Sequence, residues 1–359
     1  MKKVCWFFLI LIACGIGCSS SDEQSPDDAM DETSTENEPT EDSGQNPEDS
    51  NDGGTSTFSS VVEEYGQLSV QGNKLVGQNE DVVQLRGMSL FWSQWIGKYY
   101  TPEVVKWLKD DWQSTVVRAA LAVEHEGYLE NPESEKQKII AVIDAAIANG
   151  LYVIVDWHDH HAEDHLEESV AFFGELAEKY ADYPNIIYEI YNEPLNVSWK
   201  NVLKPYHEAV IDEIRKYDAD NIIVCGTPNW SQDVDDVIFE KIDDPNVMYT
   251  LHYYAATHKQ ELRDKALVAL NNNIPVFVTE YGISEASGDG SLNETEAETW
   301  WSFLDTHQIS HLNWSIADKE ELSAALKPGA SALGGWTTDE LTLSGNIVRS
   351  HIRDKNTAY

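Results

Sequence analysis

Residues 152–194 read YVIVDWHDHHAEDHLEESVAFFGELAEKYADYPNIIYEIYNEP. An apolar, β-branched run (YVIVDWH) gives way to a stretch with apolar residues at helical spacing (ESVAFFGELAEKYAD), and a second buried run (IIYEIYNEP) follows. The pattern recurs on both sides: VQLRGMSL and STVVRAAL come before, and NIIVCGTP, VMYTLHYY, PVFVTEYG and SHLNWSI after. Amphipathic segments such as EKQKIIAVIDAAIANG, which closes on Asn-Gly, separate these runs, and DELTLSGNIVRSHIRD predicts a last helix. Eight buried runs, each followed by a helix, predict an α/β protein of the (β/α)8 TIM-barrel class rather than a doubly wound sheet. Ahead of them, GQLSVQGNKLVGQNEDVVQLRG predicts a small N-terminal β-hairpin.

The chain of 359 residues is 42% hydrophobic and carries a formal net charge of −39, which argues against nucleic acid as a partner. Residues 19–57 contain thirteen Asp and Glu and no Lys or Arg. With almost nothing apolar to bury, residues 19–58 are expected to form a disordered acidic linker rich in Ser, Asp, Glu and Pro, leaving 59–359 as the folded unit. The opening MKKVCWFFLILIACGIGC joins two lysines to a short apolar run, as a signal peptide over 1–18 requires. LIAC and GIGC both resemble lipobox sites, so lipidation at Cys14 or Cys18 is expected, on an exported, lipid-anchored cell-surface or outer-membrane protein. Cys225 is then the one cysteine of the folded part, without an internal disulfide and most simply a buried small hydrophobe. A monomer is expected.

Polar residues collect at the C-terminal ends of the strand-like runs: Arg118, His158, Asn192 with Glu193, His252 with Tyr254, Glu280 and Trp314. A barrel places its chemistry on that face. Cleaving a glycosidic bond needs two carboxyl groups of unlike ionisation, and Glu193 and Glu280 supply a pair from different strands. Ion pairing of the same acids with Arg118 or His252 is the simpler structural explanation. It leaves Trp92, Trp95, Trp157, Trp230, Trp314 and Trp336 unaccounted for, all at or just after strand ends, where indoles suit the C–H faces of sugars.

In LRGMSLFWSQW, VVRAAL, VIVDWH, IIYEIYNEP, YTLHYYAATH, VFVTEYG and NWSIADKEELSAALKPGAS, in that order, the chain resembles glycoside hydrolase family 5, specifically its subfamily 2 bacterial cellulases. The resemblance implies retaining, two-step, cofactor-free hydrolysis of internal β-1,4-glucosidic bonds in cellulose or a related β-glucan. It implies Glu193 as general acid/base and Glu280 as nucleophile. Asn192 is then expected on the sugar 2-hydroxyl, Arg118 and Tyr254 on Glu280, and His158 and His252 on the same sugar or the catalytic pair. Trp314 becomes the floor under the ring, with Trp95, Lys319 and Glu321 holding neighbouring glucose units and His161, Trp92 and Trp230 as further candidates. Many relatives carry His and Gly where Phe91 and Trp92 stand, and Tyr where Ala122 stands, which leaves chain length and glucan preference open.

Three other readings compete. The first is the same fold acting on mannan, xylan or mixed-linkage glucan. The second is a non-catalytic glycan-binding lipoprotein. The third is a metal-dependent hydrolase built on the His/Asp cluster at 158–165. Against the last, Asp164 and His165 fall two residues late for a His-x-His-x-Asp-His site, so no metal is expected.

Overall fold

A computed structural model describes residues 58–359; the expected signal peptide, both lipobox cysteines and residues 19–57 of the expected linker lie outside the described residues. Two short strands, β1 (Ser69–Gln71) and β2 (Lys74–Val76), pair antiparallel as the predicted hairpin, with Gly72 at φ +64° in its turn. Eight more follow: β3 (Arg86–Leu90), β4 (Val116–Ala122), β5 (Tyr152–His158), β6 (Ile186–Glu189), β7 (Ile222–Cys225), β8 (Val247–Tyr254), β9 (Val276–Gly282) and β10 (His311–Ile316). All pair in parallel, and β10 returns to β3 with His311 opposite Arg86, closing the barrel. Every residue of these strands is buried, which is why the runs read as continuously apolar rather than alternating.

Helix boundaries follow local chemistry. Thr101 caps Pro102–Asp110 through its hydroxyl, with Pro in the first turn, and Thr342 caps Leu343–Lys355. Pro132–Asn149 ends at Gly150, at φ +66°, where a Cβ would also lie 2.3 Å from the side chain of Ser60; only glycine satisfies both demands. Leu166–Tyr180 packs Phe172 and Phe173 against Trp157 of β5. One expected helix is missing. After β7 the chain makes a single turn, Pro228–Ser231, then a 3-10 segment, Val234–Phe239. Asn229, Trp230 and Ser231 have φ of 60°, 56° and 55°, a left-handed path from which a right-handed helix cannot propagate.

The hairpin covers the N-terminal end of the barrel. Val70 N–H donates to Asn246 Oδ1 just before β8, Gln67 bonds Asn221 just before β7, and Tyr152 at the start of β5 donates to the Gly66 carbonyl. The opposite, C-terminal end is left uncovered by the hairpin. Cys225 is buried in β7, as expected. Among the described residues no helix is long and apolar enough to cross a membrane.

Candidate active site

Parallel strands bring their C-terminal ends to one face, and alternate residues point into the barrel. β4 delivers Arg118, β5 Asp156 and His158, β6 Glu189 with Asn192 and Glu193 just beyond, β8 His252 and Tyr254, β9 Glu280, and β10 Trp314. Arg118 is fully buried and ties four of these elements together. Its guanidinium donates to Glu189 Oε2 at 2.6 Å, Glu280 Oε2 at 2.9 Å and Asn192 Oδ1 at 2.7 Å, and lies 3.0 Å from Asp156 Oδ2. Five donors in a rigid planar fork reach acceptors spread over several strands, which the compact point charge of a lysine does not match.

Glu280 receives a second donor, the Tyr254 hydroxyl, at 2.7 Å. Gly282 makes room for that tyrosine: a Cβ there would sit 2.3 Å from its ring. Burial pushes the Glu280 carboxyl up, and the Glu193 charge adds to the effect against the pull of His252, Arg118 and Tyr254. Glu193 behaves oppositely. Burial raises it, but His252, with Nδ1 at 3.0 Å from Oε1, together with His160 and Arg118 outweighs burial and holds Glu193 below its usual value. Burial works against the His252 charge too, yet Glu189 and Glu193 on either side of the ring bring it up to about 9. A carboxylate oxygen of Glu193, a ring nitrogen of His252 and a carboxylate oxygen of Glu280 all lie within 4.8 Å of one another.

Around this centre is an open cleft of about 250 Å³. Trp314 forms one wall, stacked flat on His158 at 5.0 Å between centroids and packed on Phe91 at 5.2 Å. His158 Nδ1 is 2.6 Å from Asp156 Oδ2, and burial with the nearby cation Arg118 keeps its ring well below the usual histidine range. Trp92 meets His158 edge-on at 4.1 Å and Trp95 at 5.1 Å. Trp95 is 56% exposed, and the ion-paired Lys319 and Glu321 line the same cleft.

Other expected residues lie elsewhere. Trp157 alternates outward between two inward neighbours and packs on Tyr128 and Phe172; Trp336 is buried against Tyr99. Both are core, not sugar platform. Trp230, 44% exposed, sits on the left-handed turn after β7, its N–H on the Pro194 carbonyl, outside the cleft around Glu193 and Glu280. His161 points away, its Nδ1 3.5 Å from Glu124 Oε2. His160 takes the cleft position instead, with Nδ1 3.1 Å from the Glu193 carbonyl oxygen.

The four histidines of 158–165 therefore face four partners: Asp156, the Glu193 carbonyl, Glu124 and, for His165, Asp159 at 2.7 Å. Glu124, Asp159 and His161 do come within 4.8 Å of one another, but the Asp159 oxygens already accept from His165 and from the His161 N–H.

Two residues of this polar centre are not singled out by the sequence: Glu189, which braces Arg118, and Thr279, which contacts His252. Glu189 had a signal, an acid inside the apolar run IIYEI. Thr279 had none. Strict alternation puts it outward beside an inward Glu280, but between the Thr250–Phe277 and His252–Glu280 pairs β9 advances one residue more than β8, and the bulge turns both inward.

Comparison with known proteins adds to this geometry. Residues 76–320 match the family model for cellulase (glycosyl hydrolase family 5). The chain is 48% identical over 290 residues to endoglucanase Z of Dickeya dadantii (strain 3937), covering 80% of this chain and 66% of that one. It is 47% identical over 300 residues to endoglucanase A of Evansella cellulosilytica, covering 82% and 61%. It thus spans just under two thirds of the length of these curated relatives. Among solved structures, one from Cytophaga hutchinsonii superposes with a TM-score of 0.82 at 56% identity, covering 83% of this chain and 97% of that one. The catalytic domain of Thermobifida fusca endoglucanase Cel5A, solved as a variant in complex with cellotetraose, gives 0.78 at 33% identity, covering 81% and 99%.

Proposed function

Because the chain belongs to the cellulase family, glycosyl hydrolase family 5, we propose that it is an endo-acting, retaining β-1,4-glucanase whose two carboxyl groups are Glu280 and Glu193. The observation that carries this reading is the carboxylate pair, with oxygens within 4.8 Å beside an aromatic-walled cleft. Retaining pairs stand about 5–5.5 Å apart, whereas inverting pairs leave about 6.5–9.5 Å for a water molecule.

Glu280, aimed by Arg118 and Tyr254, attacks the anomeric carbon and forms a glycosyl-enzyme as the C–O bond to the leaving glucose breaks. Glu193 protonates that leaving oxygen, then takes a proton from the water that releases the sugar. With Asn192 Oδ1 engaged by Arg118, its amide nitrogen is the group that faces the 2-hydroxyl. Trp314 and Trp95 offer indole faces to successive glucose rings, and Lys319 and Glu321 bond their hydroxyls. Residues 1–18 support export and lipid anchoring at Cys14 or Cys18.

Reducing-sugar release from carboxymethylcellulose, barley glucan, xyloglucan and mannan, measured in parallel, tests the reading. The expected result is rapid endo-cleavage of the β-1,4-glucans. Binding without release points to a glycan-capture protein, and a clear preference for mannan moves the substrate class.

A further inference from the structure

Behind the catalytic pair lies a buried hydroxyl relay that the two-carboxylate mechanism does not require. His252 Nε2 is 2.9 Å from Thr279 Oγ1. Thr279 Oγ1 is 2.5 Å from Glu189 Oε1 and also bonds the Thr250 hydroxyl. All four side chains are buried. Arg118 contacts both oxygens of Glu189 and holds it ionised, so Glu189 can only accept. Thr279 has a single hydroxyl proton, which therefore goes to Glu189, and its remaining lone pairs must accept. His252 Nε2 is then an N–H donor whatever the charge on the ring, and the only edge left to titrate is Nδ1, the edge facing Glu193.

We propose that Thr279 is a positioning residue for the acid/base: by locking His252 in the Nε2–H form it makes Glu193 and His252 share one proton across the 3.0 Å contact between them. The proposal rests on the glycosidase reading and adds to it where the catalytic proton resides. In the resting site Glu193 is ionised beside an imidazolium. In the first step one proton leaves Nδ1 and one proton arrives, through Glu193, on the leaving oxygen; His252 ends neutral and Glu193 ends as a carboxylate. In the second step the attacking water returns that proton. With Nε2–H locked, the neutral ring turns a lone pair towards a carboxylate, an unfavourable contact that strengthens the pair as a base. Without the lock, a neutral ring would move its proton to Nδ1 and satisfy Glu193. The other charged or titratable groups around His252 are Glu280 on β9, the His158 ring on β5, held well below the usual histidine range, and, braced through Glu189, Arg118 on β4.

The test is the pH profile of kcat/KM for a cello-oligosaccharide, whose sugar leaving group needs the proton, with wild type, Thr279→Val and Thr279→Ser. Valine keeps the shape and removes the acceptor, so the alkaline limb is expected to move down by about one pH unit, the worth of one charge-assisted hydrogen bond. The acidic limb, set by Glu280, stays in place, and serine restores the alkaline limb. A loss of rate that is uniform across pH, with the limb unmoved, overturns the proposal and leaves Thr279 as packing alone. Nitrogen-15 NMR of the His252 ring in the wild-type protein gives an answer that needs no variant. Nε2 protonated throughout the titration is expected, and a neutral Nδ1–H form refutes the lock. If wild type cleaves no glycoside, the glycosidase reading fails while the NMR result still judges the relay.

Discussion

The floor of the cleft and its rim are built by opposite means. On the floor, Arg118, Glu189, His252, Thr279 and Glu280 are buried and each is held by at least two polar partners from other strands. On the rim, Trp95 is 56% exposed and fixed by ring contacts with Trp92 and Phe91, while Lys319 is secured mainly by Glu321. A buried polar group left without a partner costs stability, so the floor admits little variation. The rim loses only contact area when it changes, so substrate preference is free to vary there while the chemistry stays constant.

That contrast can be broken by substitution, with effects ranked from floor to rim. Glu280→Gln is expected to lower turnover by about 10⁴-fold or more while leaving cello-oligosaccharide binding measurable by calorimetry; substantial residual turnover would remove Glu280 as the nucleophile. Arg118→Met strands three buried carboxyl groups and is expected to cost about 3–5 kcal/mol in urea unfolding. A loss under 1 kcal/mol would mean the floor is not braced as described.

Glu193→Ala should slow glucan hydrolysis by about 10²–10⁴-fold but barely affect aryl glycosides with good leaving groups; equal losses on both count against its role as acid. The pH dependence should be milder. His252 is raised from 6.5 to about 9, so the stability it contributes is whole below about pH 6.5 and is lost as pH climbs through about 9. Urea unfolding at pH 7 and pH 10 reads this directly, and His252→Asn should flatten the difference. At the rim, Trp95→Ala should raise KM about tenfold with kcat nearly unchanged. A large fall in kcat would place Trp95 with the floor.

Much of this was legible in order along the chain. The eight runs, the hairpin, the Asn-Gly helix end and the acids of NEP and TEYG are local features, each readable within about ten residues. The missing helix after β7 was not, because a left-handed turn at Asn229–Ser231 depends on the Pro194 and Leu195 carbonyls that receive its N–H groups from another loop. Trp157 read as a cleft residue because it stands at a strand end beside His158. Only the direction of its side chain, set by the pleat, puts it in the core. His160 and His161 are neighbours of identical chemistry, and the loop's path alone decides which one enters the cleft.

The barrel, its polar face and the strand-end positions of the two carboxyl groups follow from local sequence, because strand and helix periods and strand-end acids are written locally. The closed barrel sets the hydrogen-bond partners of each of these groups. Thr250, Thr279 and Glu189 come from three strands, and a one-residue bulge in β9 brings them to the back of His252. Hydrogen-bond direction in a dry interior depends on every neighbour at once, so it exists only after the barrel closes.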